Sequence, residues 1–480
     1  MRVFHISAEM TPFAKVGGLA DVLLGLNRAF LNRIQSRVIL PHYGAIDMDL
    51  LVSADEEESF TTVLNGKECR ARVSYYRLYR DLMVGLLDTE ERYWGSRSDI
   101  YGGDDEIESF LFFCRAVVDW LQTREAPDLL HLHDWQTSLV PFLLQKEKIS
   151  IPTLLTIHNL SYQGLCQWHD LQKISVTPDS VRDPSLFQDP HRDCLNLMKV
   201  GILSADRLTT VSPTYAVEVK TAEYGHGLDG VLRSVSEKFQ GILNGLDDAY
   251  WNPAIDPLLV TNYSLIDGMK KIRLAKERHK ESILSELDLP ILSDPLVVAV
   301  TRLVSQKGID LLYDLFSHAK ELGIQVLLLG GGANAEDRSR FSELDQVLRQ
   351  EKRGAIFLQS DEMVAHRLFA AADIFVVPSL FEPCGLTQLI ALMYGAIPIV
   401  RRTGGLADTI VDLSSQKDSN GFVFDDPLPE AFRDAVKRAR SCFFQLETWE
   451  ALMVRGMQQD LSWKRSADQY LMLYQRICSE

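Results

Sequence analysis

The sequence has few cysteines, and none of them forms a CxxC pair. Its seven cysteines are an odd number scattered over 480 residues, at positions 69, 114, 166, 194, 384, 442 and 478. This spacing argues against a disulfide framework and against a cysteine zinc site, and it is typical of free thiols in a reducing compartment. We therefore expect a cytoplasmic protein.

Long apolar runs and an excess of positive charge are also missing. No stretch approaches the roughly 20 apolar residues that a membrane span needs, and the residues from Arg2 to Ser7 predict a strand rather than a signal or transit peptide. The formal net charge of −16 argues against general binding to nucleic acid or to anionic membranes. A few local cations would have to hold any anionic ligand.

What the sequence does contain is two series of strand-like apolar runs separated by helical patterns. The first series lies at 3–8, 37–41, 129–133, 153–157 and 208–211. The second lies at 296–300, 325–329, 355–358, 374–377 and 397–400. Apolar strands alternating with helices are typical of parallel sheets covered on both faces. We predict an α/β protein of two doubly wound, Rossmann-like domains, since the chain is also longer than one core usually covers.

Turn-forming residues mark the predicted domain boundary. Asn244 to Asp248 is rich in such residues, and Pro253 and Pro257 follow. We place the N-terminal domain at residues 1–246 and the C-terminal domain at 247–461. Alternating residues around Asn65-Gly66 predict a hairpin insertion at about 47–88 within the first domain.

One phrase occurs on two of the loops that follow predicted strands, which is where doubly wound folds bind ligands. Lys15-Val-Gly17-Gly18-Leu-Ala-Asp21 follows the first strand, and Gly-Gly-Leu-Ala-Asp returns at 404–408 behind Arg402. Amides at a glycine-opened helix start attract anions, but a glycine pair is about as often a purely structural turn. We expect the first copy to face a ligand and the second to shape the turn behind the loop of Glu382.

Two loops in the second half carry charged residues at strand ends. Arg302 and Lys307 share one loop, and an arginine fork beside a lysine suits a diphosphate; two solvated surface cations are the alternative. Glu382 precedes a glycine-opened helix start at 384–387, which places a carboxylate beside an anion-binding dipole. A simple helix-cap charge is the alternative there.

Polar and aromatic residues end two successive strands of the first half. His131-Leu-His-Asp-Trp-Gln136 and Ile157-His-Asn-Leu-Ser-Tyr-Gln-Gly164 are typical of a sugar-binding surface, although a single histidine in such a position is more often structural. The sequence has no HExxH or comparable ligand cluster, so we expect no metal.

Seven motifs in register resemble those of the bacterial glycogen synthases and plant starch synthases across nearly the whole chain. They are KVGGLADV, HDWQT, TIHNLSYQG, GILNGLDDAYWNP, TRLVSQKG, FEPCGLTQL and RRTGGLADT. The resemblance implies a GT-B glycosyltransferase, whose two domains face each other across a deep cleft. It implies retaining transfer of glucose from ADP-glucose to the non-reducing end of an α-1,4-glucan, with release of ADP and without metal or other cofactor.

The same resemblance assigns sides, partners and place. The N-terminal domain would bind the glucan acceptor and the C-terminal domain the nucleotide-sugar donor, while a final helix at 462–480 crosses back to the N-terminal domain. The partners would be these two substrates, with neither nucleic acid nor membrane, and the oligomeric state is left open. The location would be the cytoplasm, or a plastid for a mature plant form.

Residues that match the motifs take their expected roles from the family. Glu382 would be the active-site glutamate, Arg302 and Lys307 would neutralise the departing ADP, and His158 would contact the transferred glucose. Asp134 is expected in both the catalytic and the acceptor-binding set. The other expected donor contacts are Lys15, Gly17, Gly18, Cys384, Gly385, Leu386 and Thr387. The other expected acceptor contacts are Asp21, Asn159 and Asn244.

The chain departs from the family pattern at a few positions. Glu106 and Ser109 stand where the family tends to have Asn and Arg, and Asn27 stands where a proline is usual. Ile390 occupies the position of a second glutamate in sucrose-type relatives, which favours the glycogen and starch synthase version.

Other functions are kept as alternatives. A GT-B enzyme using UDP-glucose or another acceptor would share the donor loops. A glycogen phosphorylase is disfavoured by the chain length and by the absence of a recognisable pyridoxal phosphate motif. A catalytically silent glucan-binding protein is disfavoured by the presence of Lys15, Arg302, Lys307 and Glu382 together.

Overall fold

The structure is a computed structural model that describes residues 1–50, 52–79, 82–415 and 417–479. The predicted hairpin range 47–88 includes residues 51, 80 and 81, which lie outside the described residues. The chain forms two compact units, Met1–Gly245 with Trp463–Glu480, and Leu246–Ser462.

Strands and helices alternate along both units. The strands are β1 (Arg2–Ile6), β2 (Gln35–Pro41), β3 (Ser53–Leu64), β4 (Lys67–Tyr79), β5 (Leu82–Thr89), β6 (Leu129–His133), β7 (Thr153–Ile157), β8 (Leu165–Cys166), β9 (Leu195–Asn196), β10 (Arg207–Thr210), β11 (Phe239–Gly241), β12 (Leu296–Val300), β13 (Gln325–Leu329), β14 (Gly354–Phe357), β15 (Ile374–Val377), β16 (Ile397–Arg401) and β17 (Phe422–Phe424). The ten predicted strands are all present within two residues of their expected ends.

The helices fill the connections between the strands. They are α1 (Gly18–Ala29), α2 (Glu106–Gln122), α3 (Val140–Lys146), α4 (Trp168–Gln172), α5 (Leu197–Ser204), α6 (Pro213–Glu218), α7 (Asp229–Ser234), α8 (Met269–Glu286), α9 (Ile309–Ser317), α10 (Ala319–Leu322), α11 (Ala335–Gln350), α12 (Glu362–Ala371), α13 (Thr387–Met393), α14 (Gly404–Thr409), α15 (Pro429–Phe443), α16 (Leu446–Gln458) and α17 (Trp463–Ser479). None of the helices in the described ranges is both long and apolar enough to cross a membrane.

The first unit is built on a nine-stranded sheet in the order β11-β10-β7-β6-β1-β2-β5-β4-β3. The seven strands from β11 to β5 pair in parallel, whereas β3, β4 and β5 pair antiparallel. The turn predicted at Asn65-Gly66 is confirmed, since both residues have positive φ, 53° and 70°. The hairpin therefore extends the central sheet through β5 rather than standing apart from it.

The second unit is built on a six-stranded parallel sheet in the order β14-β13-β12-β15-β16-β17. Its strands are almost wholly buried, as the near-continuous apolar runs predicted. The order reverses between β12 and β15, so the loops after these two strands emerge side by side at one sheet edge. The α/β architecture predicted from the sequence is confirmed in both units.

Helix α1 shows why the sequence folds in this way. Its apolar stripe recurs at helical spacing and is buried; it consists of Leu19, Val22, Leu23 and Leu26, with Phe30 just beyond the helix. Asn27 is fully buried, and its Nδ2 donates to the Leu23 carbonyl at 2.8 Å while its Oδ1 accepts from Ser36 of β2. The departure from proline at this position thus ties α1 to the sheet.

The final helix α17 belongs to the first unit. Trp463, Tyr470 and Tyr474 are buried in one cluster with residues of α1. A Cβ on Gly25 of α1 would lie 2.0 Å from Nε1 of Trp463, so only glycine admits the indole there. The hydroxyl of Ser466 donates to the carbonyl of Leu243.

Candidate active site

The structure joins two of the predicted site residues of the second unit in one ion pair. Glu382 lies on the loop after β15 and is 6% exposed. Its Oε2 accepts from Nζ of Lys307 at 2.6 Å and from the hydroxyl of Ser379 at 2.9 Å. Because two donors share one carboxylate oxygen, the orientation of the glutamate is fixed, and Oε1 has neither of them as a partner.

The loop that carries Lys307 is held against the Glu382 loop. The Leu380 amide donates to the Gln306 carbonyl at 2.8 Å. Gly308 has a φ of 68°, and a Cβ there would lie 2.2 Å from the carbonyl oxygen of Pro378. Arg302 begins this loop, is exposed, and forms no ion pair with any described residue. The loops after β12 and β15 thus form one polar rim, as their place in the sheet order predicts.

The second copy of the repeated phrase lies directly behind Glu382. The Gly405 amide donates to the Glu382 carbonyl at 3.1 Å. A Cβ on Gly404 would lie 1.9 Å from that carbonyl oxygen, and a Cβ on Gly405 would lie 2.1 Å from the carbonyl oxygen of Cys384. The expectation that this copy shapes the turn behind Glu382 is confirmed.

Gly405→Ala is expected to destabilise the protein by about 1–3 kcal/mol through overpacking, and to lower activity further by displacing Glu382. Urea unfolding and initial rates would measure the two effects. Gly230→Ala is the matched control, because its new Cβ would find no atom nearer than 3.7 Å. Equal stability of the two variants would contradict this account of the turn.

The predicted helix start at Gly385, Leu386 and Thr387 is half-buried and leads into α13. Gly385 has a φ of 74°, and Gln388 donates from Nε2 to the carbonyls of Gly385 at 2.9 Å and Cys384 at 3.2 Å. Cys384 itself is buried. Gln388 braces this turn, a role the sequence motif alone did not indicate.

Glu9 is the residue of the first unit that sequence reasoning missed. It is 3% exposed, and its Oε2 accepts the amides of Val16 and Gly17, each at 2.7 Å. Its Oε1 accepts the hydroxyl of Tyr101 at 2.6 Å. The Gly17 amide, expected to meet the donor, is therefore already bound to a carboxylate. The available signal was an acidic residue directly after the first strand.

Lys15 and Asp21, predicted for donor and acceptor respectively, lie together. Nζ of Lys15 is 2.9 Å from Oδ1 of Asp21, and the same oxygen accepts the hydroxyl of Thr11 at 3.1 Å. Gly18 begins α1 between them. Both charged side chains are more than a third exposed, so the pair contributes little to stability and leaves Lys15 able to turn to another anion.

One carboxylate oxygen of Asp134 links this residue to His158 and Asn159. Oδ1 of Asp134 accepts the amide of His158 at 2.7 Å and that of Asn159 at 3.4 Å. Asp134 has a φ of 59°, an unfavourable conformation that is held by these contacts. Burial raises the pKa of Asp134 to about 7, although the two amide hydrogen bonds oppose the shift.

A buried group of three histidines lies behind this loop. One ring nitrogen from each of His5, His131 and His133 falls within 4.8 Å of the others. Both ring nitrogens of His131 have partners, the Tyr474 hydroxyl at 2.7 Å and the Thr156 hydroxyl at 2.6 Å. A metal ion here would have to replace such bonds, and the metal-free expectation stays a prediction.

The histidines predict acid sensitivity of the fold. Burial lowers the pKa of His5 and His158 to about 3, and it lowers the pKa of His131 and His133 well below 6.5. Below about pH 6.5 the unfolded histidines bind protons that the folded ones do not. The free energy of unfolding therefore decreases as the pH is lowered. Asp134 acts in the opposite sense, but it is one group against four.

Urea unfolding between about pH 8 and pH 5 would measure this loss, which approaches about 1.4 kcal/mol per histidine for each pH unit below about 6.5. His5→Asn serves as the comparison and should show a shallower decline. If the free energy of unfolding does not decrease as the pH is lowered from 6.5 to 5, the assignment of neutral, buried histidines is refuted.

Other expected residues lie in the same unit. Asn244 is buried, and its Oδ1 has no hydrogen-bond partner among the described residues.

Two positions that depart from the family pattern form hydrogen bonds within the first unit. Glu106 accepts the Gly102 amide at 2.8 Å, and Ser109 accepts from Nε1 of Trp94 at 3.0 Å. A pocket of about 340 Å³ is lined by residues at the start of α2 and just before it (103, 104, 106 and 107), by residues 161–165, and by Trp135.

Comparison with known proteins covers the whole chain. Residues 2–234 match the family model for the starch synthase catalytic domain, and residues 288–442 match that for glycosyl transferases group 1. The glycogen synthase of Protochlamydia amoebophila is 41% identical over 100% of both chains. That of Geobacillus stearothermophilus is 36% identical over 99% of this chain and 98% of its own.

Solved structures agree with these relatives. The catalytic domain of starch synthase IV from Arabidopsis thaliana, bound to ADP and acarbose, has a TM-score of 0.92 and 36% identity, covering 100% of this chain and 99% of its own. Sucrose-phosphate synthase from Thermosynechococcus elongatus has a TM-score of 0.62 at 18% identity, which shows a shared fold.

Proposed function

This chain belongs to the family of bacterial glycogen synthases and plant starch synthases, and on that premise we propose that it uses the residues described above to extend an α-1,4-glucan from ADP-glucose. It is a retaining glucosyltransferase with a GT-B fold. The observation that carries the proposal is the ion pair between Lys307 and Glu382, two motif residues 75 positions apart in sequence. The ADP and acarbose in the similar starch synthase IV structure support the choice of donor and acceptor.

We propose that Arg302 and Lys307 hold the diphosphate of the donor. Nζ of Lys307 has three donor hydrogens, so it can keep its bond to Glu382 while donating to a phosphate oxygen. As the bond from glucose C1 to the phosphate oxygen breaks, negative charge collects on ADP and the two cations stabilise it. These side chains thereby supply positive charge of the kind that a metal ion can supply, which is the physical basis for proposing a metal-free reaction.

Glu382 is proposed to stabilise the positive charge that develops on the glucose ring. Retention then has two routes: a double displacement through a glucosyl-enzyme, or front-face attack in which the departing phosphate takes the proton of the acceptor hydroxyl. We favour the second, since the sequence shows no obvious partner carboxylate of the kind that a double displacement uses beside its nucleophile. Trapping of a covalent glucosyl-enzyme by mass spectrometry would refute the front-face route.

We propose that His158, Asp134 and Asn159 bind sugar hydroxyls in the first unit. A carboxyl with a pKa of about 7 is present in both protonation states near neutral pH, so Asp134 can accept or donate a hydrogen bond to a hydroxyl. We propose that the side chain of Lys15 gives up its ion pair with Asp21 and binds the donor instead. Asp21 and Asn244 are proposed to contact the acceptor.

The two copies of the repeated phrase offer a matched pair of substitutions. We expect Lys15→Gln to lower kcat/KM for ADP-glucose about 10–100-fold, because a charge-assisted hydrogen bond is worth about 1.5–3 kcal/mol. Arg402→Gln removes the corresponding cation, which pairs with Asp425 at 2.6 Å, and should stay within about twofold of the wild type. Equal losses in the two variants would contradict the assignment of Lys15 to the donor.

The alternatives separate by donor and by product. Initial rates with ADP-glucose and with UDP-glucose, each with glycogen as acceptor, decide between the proposed enzyme and a UDP-glucose enzyme. A silent glucan-binding protein would retain glycogen on a binding column yet transfer glucose from neither donor.

A further inference from the structure

His158, the proposed contact to the transferred glucose, is the end of a chain of three histidine rings. Nε2 of His158 is 3.0 Å from Nδ1 of His133, and Nε2 of His133 is 3.2 Å from Nδ1 of His5. His5 and His133 are fully buried, whereas His158 is half-buried. The chain thus runs from the interior of the first unit to its polar loop.

Each of the three neutral rings carries one N–H hydrogen. Burial lowers the pKa of His5 and His158 to about 3 and that of His133 well below its ordinary value, so all three are neutral near pH 7. A neutral imidazole has one donor and one acceptor nitrogen. The two hydrogen bonds that link the three rings must therefore have the same donor-to-acceptor direction, from His5 toward His158 or the reverse. Only these two arrangements exist.

The inner end of the chain selects between the two arrangements. Nε2 of His5 is buried and has no hydrogen-bond partner among the described residues. In one arrangement this atom is a bare lone pair, and in the other it is an orphaned N–H. Buried N–H groups without a partner are rarer in proteins than acceptors without one, so the arrangement with the lone pair at His5 is favoured.

We propose that His5 and His133 are positioning residues that fix the tautomer of His158. His5 donates from Nδ1 to His133, His133 donates from Nδ1 to His158, and the proton of His158 is therefore on Nδ1. Nδ1 of His158, the ring nitrogen that does not face His133, then presents an N–H to a sugar hydroxyl oxygen. The backbone of His158 is fixed separately by Asp134, so the chain controls the proton rather than the position of the residue.

The role in catalysis rests on the proposed function, but the tautomer itself does not. Nitrogen NMR of the full chain labelled with ¹⁵N-histidine distinguishes protonated from bare ring nitrogens, and His158→Gln identifies the signals of His158 among the 11 histidines. A proton on Nδ1 of His158 in the wild-type protein supports the proposal. A proton on Nε2, or an even mixture of tautomers, overturns it, whether or not the protein transfers glucose.

Substitutions at the inner end test the control. His5→Leu removes the first donor, so His158 should show mixed tautomers and kcat should fall about tenfold, the equivalent of one hydrogen bond, with KM for glycogen unchanged. His5→Asn can place an amide N–H near the position of Nδ1 and should restore both signals and rate. If His5→Leu does not fold, the wild-type and His5→Asn spectra still decide.

Tyr474→Phe is the matched control, because it removes a buried hydrogen bond to His131, which is adjacent to the chain but not part of it. It should leave the His158 signals and kcat unchanged. Loss of the His158 tautomer in Tyr474→Phe, or unchanged signals in a folded His5→Leu, would show that the three-ring chain does not set the proton.

Discussion

Lys307→Ala is expected to lower kcat by about 10²–10³-fold, the loss seen when one group that stabilises developing negative charge is removed from an active site. Two effects add. The variant loses the cation proposed to meet the diphosphate, and it leaves Glu382 buried without its charged partner. Steady-state rates with ADP-glucose and glycogen would measure the loss.

Lys280→Ala controls for the simple loss of a buried ion pair. Lys280 and Asp373 pair at 2.9 Å in the same unit, and their side chains are 11% and 16% exposed, comparable with 20% and 8% for Lys307 and Glu382. Removing one partner of such a pair destabilises the fold, but folded Lys280→Ala protein should keep its kcat. A similar loss of kcat in both variants would assign the effect to stability.

Glu382→Gln is the second large expected effect, with kcat lowered about 10²-fold or more and KM for ADP-glucose little changed. The amide has the shape of the carboxyl and can still accept from Lys307 and Ser379, so the fold should be kept while the negative charge is lost. A charge that acts mainly in the transition state changes kcat rather than KM. Circular dichroism and unfolding curves would verify the fold.

Ser379→Ala provides the comparison for this site. It removes one of the two hydrogen bonds to the same oxygen of Glu382 but leaves the charge, so a loss of only a few-fold is expected, about 1 kcal/mol. Full activity in Glu382→Gln would reject the role assigned to the glutamate.

The strands could be predicted because each is a short apolar run bounded by turn formers, and that information is local. That the Lys307 and Glu382 loops both follow strands could be predicted from sequence, whereas their adjacency comes from the sheet order, in which β12 and β15 are neighbours at the point of reversal. Their direct ion pair was not predicted, since side-chain pairing over 75 residues leaves no local trace.

What the sequence did not show depends on distant contacts. Glu9 holds the amides of Val16 and Gly17 and is itself held by Tyr101, which is 92 residues away. The link between His5 and His133 spans 128 residues, and each histidine alone is more often structural than functional. Only the parallel pairing of β1 with β6 brings these rings together.

The most direct test of the proposed reaction is incorporation of radiolabelled glucose from ADP-glucose into glycogen, followed by digestion of the polymer with β-amylase, which removes maltose from α-1,4-linked non-reducing ends. Label in the polymer that is released as maltose is the predicted result. Absence of label from the polymer, or label that β-amylase cannot release, would contradict the function proposed for this protein.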